Sequence, residues 1–213
     1  MKILELFSGT GSFSRVAEKR GHQTTTVDWD DKFKPDECID VLDIPLNDID
    51  SFFGETFDII WASPPCTEYS KAKSQGKRDV KYANKLVRHT LKIIKKLHPK
   101  IWIIENPQTG LLKNQPLMRN IHFVDVSYCK YGAPYKKQTR LWTNLKFKGN
   151  VCNKDCNFLV GGIKGKRHIG STGTGGKGQG HKISYSNKSY KQVEKYVIPK
   201  KLCLQIIKEC EKI

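Results

Sequence analysis

Residues 63–70 read SPPCTEYS and place a cysteine directly behind two prolines. Prolines fix the backbone and remove amide donors, so this segment predicts a stiff turn that leaves a strand. On such a turn Cys66 could act as a nucleophile, bind a metal or fill a gap in the packing. A metal needs several ligands, and no second cysteine or histidine lies at ligand spacing around this turn. We therefore prefer the role of nucleophile for Cys66.

A glycine turn and nearby acidic residues indicate a ligand site at the N-terminal end. FSGTGSFS follows the apolar residues 3–7, and its glycines let the backbone approach a ligand closely. The turn lacks the third glycine of the dinucleotide fingerprint and is a weak signal alone. Asp28 ends the next predicted strand and suits ribose hydroxyls. Trp29 offers a flat face to an adenine, and Asp43 offers an acceptor to its amino group.

Glu105 is the third candidate for chemistry, because it closes the continuous apolar stretch 101–104. A carboxyl group at that position faces either solvent or a site. If the site holds a base turned out of a nucleic acid, a partly buried glutamic acid can donate a proton to a ring nitrogen. Asn106 and Pro107 would hold the turn that follows.

The elements that position these residues alternate between strands and helices. Apolar stretches without period-two alternation predict strands at 3–7, 38–42, 57–61 and 101–105, and the β-branched stretch 24–27 predicts another that ends in Asp28. The glycine turn leads into a helix that ends near Gly21, and apolar periodicity predicts a second helix over 81–97. A short helix at 113–120 and strands at 122–128 and 140–147 follow. This order predicts an α/β fold, a mostly parallel sheet with helices on both faces. Ligands of such sheets bind outside the carboxyl ends of the strands, where the candidate residues fall.

The composition separates an acidic N-terminal part from a basic remainder. Through residue 70 the chain has 6 Lys and Arg against 14 Asp and Glu, and the rest has 32 against 7, which gives the total of +17. The basic part suits a polyanion, and nucleic acid is the obvious one. Mean hydropathy is −0.55, and no apolar run is long enough to span a bilayer, so no membrane partner is expected. Seven cysteines and an N-terminal stretch unlike a signal peptide predict reduced thiols in a cytoplasmic, nuclear or viral compartment, not secretion.

The C-terminal third changes character near residue 148. We predict a catalytic cofactor-binding domain at 1–147, a small basic glycine-rich lobe for target recognition at 148–192 and a terminal helix at 193–213 that packs back on the sheet. Lys164, Lys166 and Arg167 are the candidates for contacts with the phosphate backbone. Cys152, Cys156, His168 and His181 could bind zinc, but their spacing fits no standard finger, so we expect no metal.

Four segments together resemble the C5-cytosine methyltransferase family over about residues 1–145. They are LELFSGTGSFS, SPPCTEYS, ENP at 105–107 and QTRLW at 138–142, in that order. The chain is similar to the short phage- and virus-like members. The resemblance implies a Rossmann-like methyltransferase fold, S-adenosylmethionine as cofactor, DNA as partner and transfer of a methyl group to C5 of cytosine, as in modification enzymes paired with restriction.

The resemblance also assigns roles to residues. The cofactor would lie over Phe7, Ser8, Gly9, Thr10, Gly11 and Ser12, with Asp28 on the ribose, with Trp29, Asp43 and Ile44 at the adenine, and with Pro65 near the methyl group. Cys66 would add to C6 of a flipped cytosine, and Glu105 would protonate or hydrogen-bond N3. Arg140 would contact the flipped cytosine or its phosphate.

Departures from the family pattern keep other readings open. Thr67, Pro107 and Trp142 stand where the family has glutamine, valine and a second arginine, and we expect YVIPKKL to occupy the place of its final motif. The same chemistry on transfer RNA is an alternative, as is an inactive nucleic-acid-binding protein on this fold. An NAD-linked oxidoreductase would explain the glycine turn but neither the cysteine turn nor the basic part. The oligomeric state stays open, with a monomer as one option.

Overall fold

A seven-stranded sheet forms the centre of the molecule. The computed structural model describes residues 1–71, 73, 76–161, 165, 167–169 and 196–213. The strands of the sheet are β1 (Lys2–Leu6), β2 (Gln23–Asp28), β3 (Glu37–Cys38), β4 (Ile59–Ala62), β5 (Ile101–Pro107), β6 (Phe123–Ser127) and β7 (Gln138–Thr143). Their order is β3-β2-β1-β4-β5-β7-β6, and β7 runs opposite to the other six strands of this sheet. The predicted mostly parallel sheet is confirmed.

Both faces of the sheet are buried, which explains why its strands read as continuous apolar runs. Ile3 packs in a cluster on one face, and its neighbour Leu4 packs in a second cluster on the other. Ile59 and Ile60 divide between the same two clusters. Successive residues of a strand point to opposite faces, so a sheet covered twice needs apolar residues at every position.

Within the described residues, four α-helices cover these faces: α1 (Ser14–Glu18), α2 (Ile49–Phe53), α3 (Val80–Leu97) and α4 (Lys200–Cys210). The predicted helix over 81–97 is confirmed as α3. It begins where the Asp79 side chain accepts a hydrogen bond from the backbone N–H of Tyr82. It ends at His98, which is left-handed (φ 46°) and precedes Pro99. Helices α1 and α4 lie on one face, and α2 and α3 lie on the other.

Three predicted elements differ from those observed. The third strand was expected over 38–42, but β3 has two residues, and the Asp40 carboxylate then caps a 3-10 helix at Val41–Asp43. The expected helix at 113–120 is two 3-10 turns, Leu112–Asn114 and Pro116–Met118, because Pro116 cannot continue the first turn. The expected strand at 140–147 is β7, which ends at Thr143.

The C-terminal part returns to the sheet. Leu202, Cys203, Ile206 and Ile207 of α4 are fully buried against the face that α1 covers. Each of the three leucine and isoleucine side chains contributes about 1.5–3 kcal/mol to folding. Ahead of α4, β8 (Leu159–Val160) and β9 (Arg167–His168) form a short antiparallel hairpin. Among the described residues, no helix has the length and apolar character that a membrane crossing requires.

Candidate active site

The glycine turn after β1 has a backbone that only particular residues tolerate. Gly9 (φ 47°) and Gly11 (φ 62°) are left-handed, and so is Phe7 (φ 56°), which lacks that freedom. A non-glycine residue held in this region stores strain, which is typical of ligand sites. A Cβ atom built on Gly9 would meet nothing within 4 Å, so the space beside the turn is open. The turn can therefore admit a ligand close to its backbone.

Glu5 fixes the shape of this turn, and sequence reasoning missed it. Its Oε1 accepts a hydrogen bond from the N–H of Phe13 at 3.3 Å, and Oε2 accepts bonds from the N–H (2.8 Å) and the hydroxyl of Ser14. Burial raises the pKa of Glu5 to about 6, although these hydrogen bonds oppose the rise. A glutamate inside an apolar strand that precedes a glycine turn is the signal that could have identified it.

Asp28 ends β2 beside the turn. Its Oδ2 accepts a hydrogen bond from the N–H of Gly9 at 2.8 Å, and Oδ1 accepts one from Asp30 at 3.0 Å. Next to it, the Trp29 side chain is 69% exposed and free to stack on a flat ligand. Asp43 is exposed, and Ile44 is buried, at the end of the 3-10 helix that follows β3. These residues thus follow the ends of two adjacent strands.

The cysteine turn is held from both sides. The N–H of Ser63 donates to the carbonyl of Leu6 in β1 at 3.2 Å. The side-chain Nδ2 of Asn106, fully buried at the end of β5, donates to the carbonyl of Pro64 at 2.9 Å. Pro65 is exposed, and Cys66 is half-buried at the start of a short 3-10 helix. The two bonds place the turn between the glycine turn and the end of β5.

Cys66 and Glu105 come together with a lysine that the sequence analysis did not single out. Burial raises the pKa of the Cys66 thiol; the nearby Lys137 ammonium lowers it, and the Glu105 carboxyl raises it further. The Tyr128 hydroxyl donates to Glu105 Oε1 at 2.9 Å, and Lys137 Nζ lies 3.5 Å from the same oxygen. A lysine one residue ahead of QTRLW was the available signal. A thiol, a carboxyl group and a cation therefore share one corner of the site.

Arg140 lies elsewhere. Its guanidinium binds Asp125 through two hydrogen bonds of 2.7 and 2.8 Å and stacks 3.5 Å from the centre of the Phe123 ring. Glu105 is paired with Leu141 across β5 and β7, so Arg140 points to the opposite face of the sheet. In this structure Arg140 thus lies with Asp125 and Phe123, and its expected contact with the flipped cytosine or its phosphate stays a prediction.

The predicted phosphate contacts fall mostly beyond the described part of the chain. Lys164, Lys166 and His181 lie outside the described residues. Arg167 belongs to β9, where it is paired with Val160. The division into 1–147, 148–192 and 193–213 stays a prediction.

Known proteins resemble this chain both in sequence and in fold. A family model described as C-5 cytosine-specific DNA methylase matches residues 1–123. The chain is 35% identical over 198 residues to the "Probable DNA (cytosine-5)-methyltransferase" of Frog virus 3 (isolate Goorha). The matched region covers 84% of this chain and 89% of that protein.

Solved structures share the fold at low identity. A "putative DNA modification methyltransferase" encoded within a prophage of E. coli superposes with a TM-score of 0.53 at 21% identity, over 67% of this chain and 46% of that one. The chain thus spans less than half the length of that protein. The Dnmt2 methyltransferase of S. pombe has a TM-score of 0.49 at 17% identity, over 73% of this chain and 54% of its own.

The sheet order and its structural relatives define a Rossmann-like methyltransferase fold. Within that class, the family match and the viral relative are specific: the chain belongs to the C-5 cytosine-specific DNA methylase family. The resemblance carried by SPPC, ENP and the glycine turn is confirmed.

Proposed function

We propose that this protein transfers a methyl group from S-adenosylmethionine to C5 of a cytosine in DNA, through a covalent bond between Cys66 and C6. One observation carries the proposal: Cys66 and the buried Glu105 belong to the ends of two adjacent strands, β4 and β5, that the Asn106–Pro64 hydrogen bond joins beside the open glycine turn. The chain's membership of the family supports the choice of cytosine and of DNA.

In the proposed reaction the Cys66 thiolate attacks C6 of a cytosine that has left the base stack. The new S–C6 bond takes up one pair of electrons, and the C5–C6 double-bond pair moves to C5, which becomes nucleophilic. After C5 has received the methyl group, a base removes the C5 proton. The electron pair of that C–H bond restores the double bond, and the Cys66 thiolate leaves.

Glu105 holds a proton at N3 of the cytosine and so withdraws electrons from C6 during the attack. Its burial favours this task. Water has little access to a carboxyl group that is 6% exposed, so it competes little with the nucleobase for this group. The Tyr128 hydroxyl at Oε1 orients the carboxyl group. Asn106 acts one step away, because it positions the turn that carries Cys66.

Lys137 supplies the positive charge that a buried thiolate needs. Thiolates react and thiols do not, so a group that favours the anion increases the reactive fraction of Cys66. Lys137 is the described cation that lowers the pKa of Cys66. We assign the cation beside the reacting base to Lys137, and the contact expected of Arg140 stays a prediction.

The residues of the glycine turn suit S-adenosylmethionine, which when bound supplies an electrophilic methyl group. The open space at Gly9 leaves room for a ligand against the backbone. Asp28 would hold the ribose, and exposed Trp29 would stack on the adenine beside Asp43 and Ile44. The rest of the turn, from Phe7 to Ser12, would line the remainder of the cofactor, and Pro65 would face its methyl end.

DNA would bind through the basic remainder of the chain. Beyond residue 70, 32 Lys and Arg stand against 7 Asp and Glu, and such an excess supplies affinity for phosphates through release of counterions. Lys164, Lys166 and Arg167 stay the proposed contacts of the target-recognition lobe, with no assignment of strand or sequence.

The test uses the full chain with a radiolabelled methyl donor and matched DNA and RNA duplexes. We expect label in DNA cytosine, and a denaturant-resistant adduct on DNA that contains 5-fluorocytosine, because fluorine at C5 blocks release of the thiol. Cys66→Ala should abolish both. Cys210→Ala is the control, since this cysteine lies in α4 at the other end of the sheet and should leave both signals unchanged.

Three results would contradict the proposal. Transfer that persists in Cys66→Ala would exclude the covalent route. Label in RNA alone would move the substrate to RNA. Binding of DNA by the folded wild-type protein, with neither transfer nor adduct, would favour the inactive nucleic-acid-binding protein.

A further inference from the structure

Four potential metal ligands meet outside the active site. They come from three separate segments: Cys129, Cys152 with Cys156, and His168. Their ligand atoms all lie within 4.8 Å of one another. Nε2 of His168 is 3.3 Å from the sulfur of Cys156 and 3.5 Å from that of Cys152. All four belong to the described part of the chain, and Cys129 is the one that its sequence spacing did not indicate.

These distances match a tetrahedral zinc site. With Zn–S bonds of about 2.3 Å and Zn–N bonds of about 2.0–2.1 Å, tetrahedral angles put a sulfur about 3.5 Å from a nitrogen and two sulfurs about 3.8 Å apart. The two measured sulfur–nitrogen distances agree with this value within about 0.2 Å. Three thiolates and one imidazole are a donor set that zinc prefers.

The backbone around the cysteines is shaped for a bound thiolate. Between Cys152 and Cys156 the chain turns through Lys154, which is left-handed (φ 63°). The Asp155 carboxylate accepts a hydrogen bond from the N–H of Asn153 at 3.0 Å, which fixes this turn. Contacts around a ligand residue of this kind orient it toward the metal.

The charge around the cluster is also suitable. Three thiolates and one Zn²⁺ leave a net charge of −1, which needs a cation nearby. Lys130 follows Cys129 directly, its ammonium binds Asp155 at 2.8 Å, and its charge acts on Cys152 and Cys156. The surroundings therefore offset the charge that the loaded site would carry.

The two simpler explanations leave parts of the cluster unexplained. Cysteines pack as small apolar residues, but an imidazole nitrogen in contact with two sulfurs is no apolar contact. A disulfide would use two of the sulfurs and leave the third cysteine and the histidine without a purpose, and all seven cysteines are free. A metal accounts for all four side chains.

We propose that Cys129, Cys152, Cys156 and His168 bind one zinc ion that fastens the β8–β9 hairpin to the catalytic body. Four protein ligands leave no open position, so the ion is structural. This replaces the expectation from sequence that no metal binds.

The hairpin gains most from such a tie. Each of its strands has two residues, and a two-stranded hairpin of that size is barely stable alone. Cys129 lies next to Tyr128, which orients Glu105, and both belong to the same 3-10 helix. Zinc would thus hold the start of the basic lobe at a fixed position relative to the catalytic carboxyl group.

The test measures metal in the full chain purified from cells grown with added zinc. We expect about one zinc ion per chain by mass spectrometry of the metal. We also expect an X-ray absorption spectrum with three sulfurs at about 2.3 Å and one nitrogen at about 2.0–2.1 Å. Cys156→Ser, at a half-buried position, should lower the zinc content at least tenfold.

Matched variants separate loss of the metal from loss of the fold. Cys38→Ser removes an exposed cysteine outside the cluster and should keep the zinc. His168→Ala should lose it, whereas His168→Cys keeps four ligands and should retain it with a fourth sulfur in the spectrum. Chelation should increase proteolysis within residues 156–169 and leave the sheet intact.

Any of three results would overturn the proposal. The first is a folded wild-type protein that carries no zinc above background and gives no tetrahedral spectrum when loaded with cobalt. The second is a zinc content in Cys156→Ser and His168→Ala that equals that of the wild type. Mass spectrometry of the non-reduced protein could show a disulfide between two cysteines of the cluster.

Discussion

Substitution of Asn106 separates the placement of Cys66 from its chemistry. Asn106 is fully buried, and its Nδ2 donates to the carbonyl of Pro64 at 2.9 Å. Asn106→Ala leaves that carbonyl without its donor, which costs about 1–3 kcal/mol. For a chain of this size the melting temperature should fall by about 2–12 °C. The turn would also lose its tie to β5, and a nucleophile displaced by about 1 Å reacts roughly 100-fold more slowly.

The assay follows formation of the adduct on 5-fluorocytosine DNA at saturating DNA, well below the melting temperature. Under that condition unfolding cannot explain a slow rate. A lower rate constant of adduct formation, with little change in the DNA concentration that gives half of the maximal rate, therefore reports misplacement of Cys66. Asn144→Ala is the matched control, because Asn144 bonds backbone groups of Lys100 and Trp102 at the far end of β5. It should lower the melting temperature without slowing the adduct. If Asn106→Ala melts earlier yet forms adduct within about twofold of the wild-type rate, the positioning argument is wrong.

Four further substitutions test the charges and the packing. Lys137→Met should slow alkylation of Cys66 by iodoacetamide about tenfold at pH 8, because the cation that favours the thiolate is gone; an unchanged rate would contradict its role. Glu105→Gln should speed the same alkylation, since a charge that raises the pKa of Cys66 is removed, yet methyl transfer should fall; slower alkylation would refute the assigned sign. Burial raises the pKa of Glu5 from 4.5 to about 6. The free energy of unfolding of the wild type should therefore fall by about 2 kcal/mol as the pH rises from 4.5 to 6. In Glu5→Gln, urea denaturation should show no such decrease with pH. Ile206→Ala should cost about 2–5 kcal/mol in urea denaturation, because this α4 side chain is fully buried on the sheet; a loss below about 1 kcal/mol would mean that α4 packs loosely.

The positions at strand ends could be predicted from sequence because local patterns determine them. The glycine turn, Asp28, Cys66 and Glu105 each follow an apolar stretch, and a parallel sheet brings such ends to one edge. Cys66 and Glu105 can be neighbours only if β4 and β5 are adjacent in the sheet, as they are. This adjacency could be expected, because strands that follow one another in sequence usually lie side by side.

The register of β7 could not be predicted, and neither could the pairing of Arg140 with Asp125. A shift of one residue between antiparallel strands exchanges the two faces, and nothing local in QTRLW sets that shift. The same alternation puts Lys137 on the side of Glu105, so the undetermined register also hid the place of this lysine.

The cluster of three cysteines and His168 could not be predicted from the sequence for a different reason. Cys152 and Cys156 are close in sequence, but Cys129 lies on another element, between β6 and β7. Ligand motifs are recognised by short spacings, and a ligand contributed by a distant segment is visible only after folding.

Two hydrogen bonds from backbone N–H groups lie in sequence on either side of residues 170–195. On one side the N–H of Ile169 bonds the carbonyl of Phe158, and on the other the N–H of Ile198 bonds the hydroxyl of Ser12, within the glycine turn itself. The bond from Ile198 to Ser12 makes the position of the chain entering α4 and the shape of the glycine turn depend on each other.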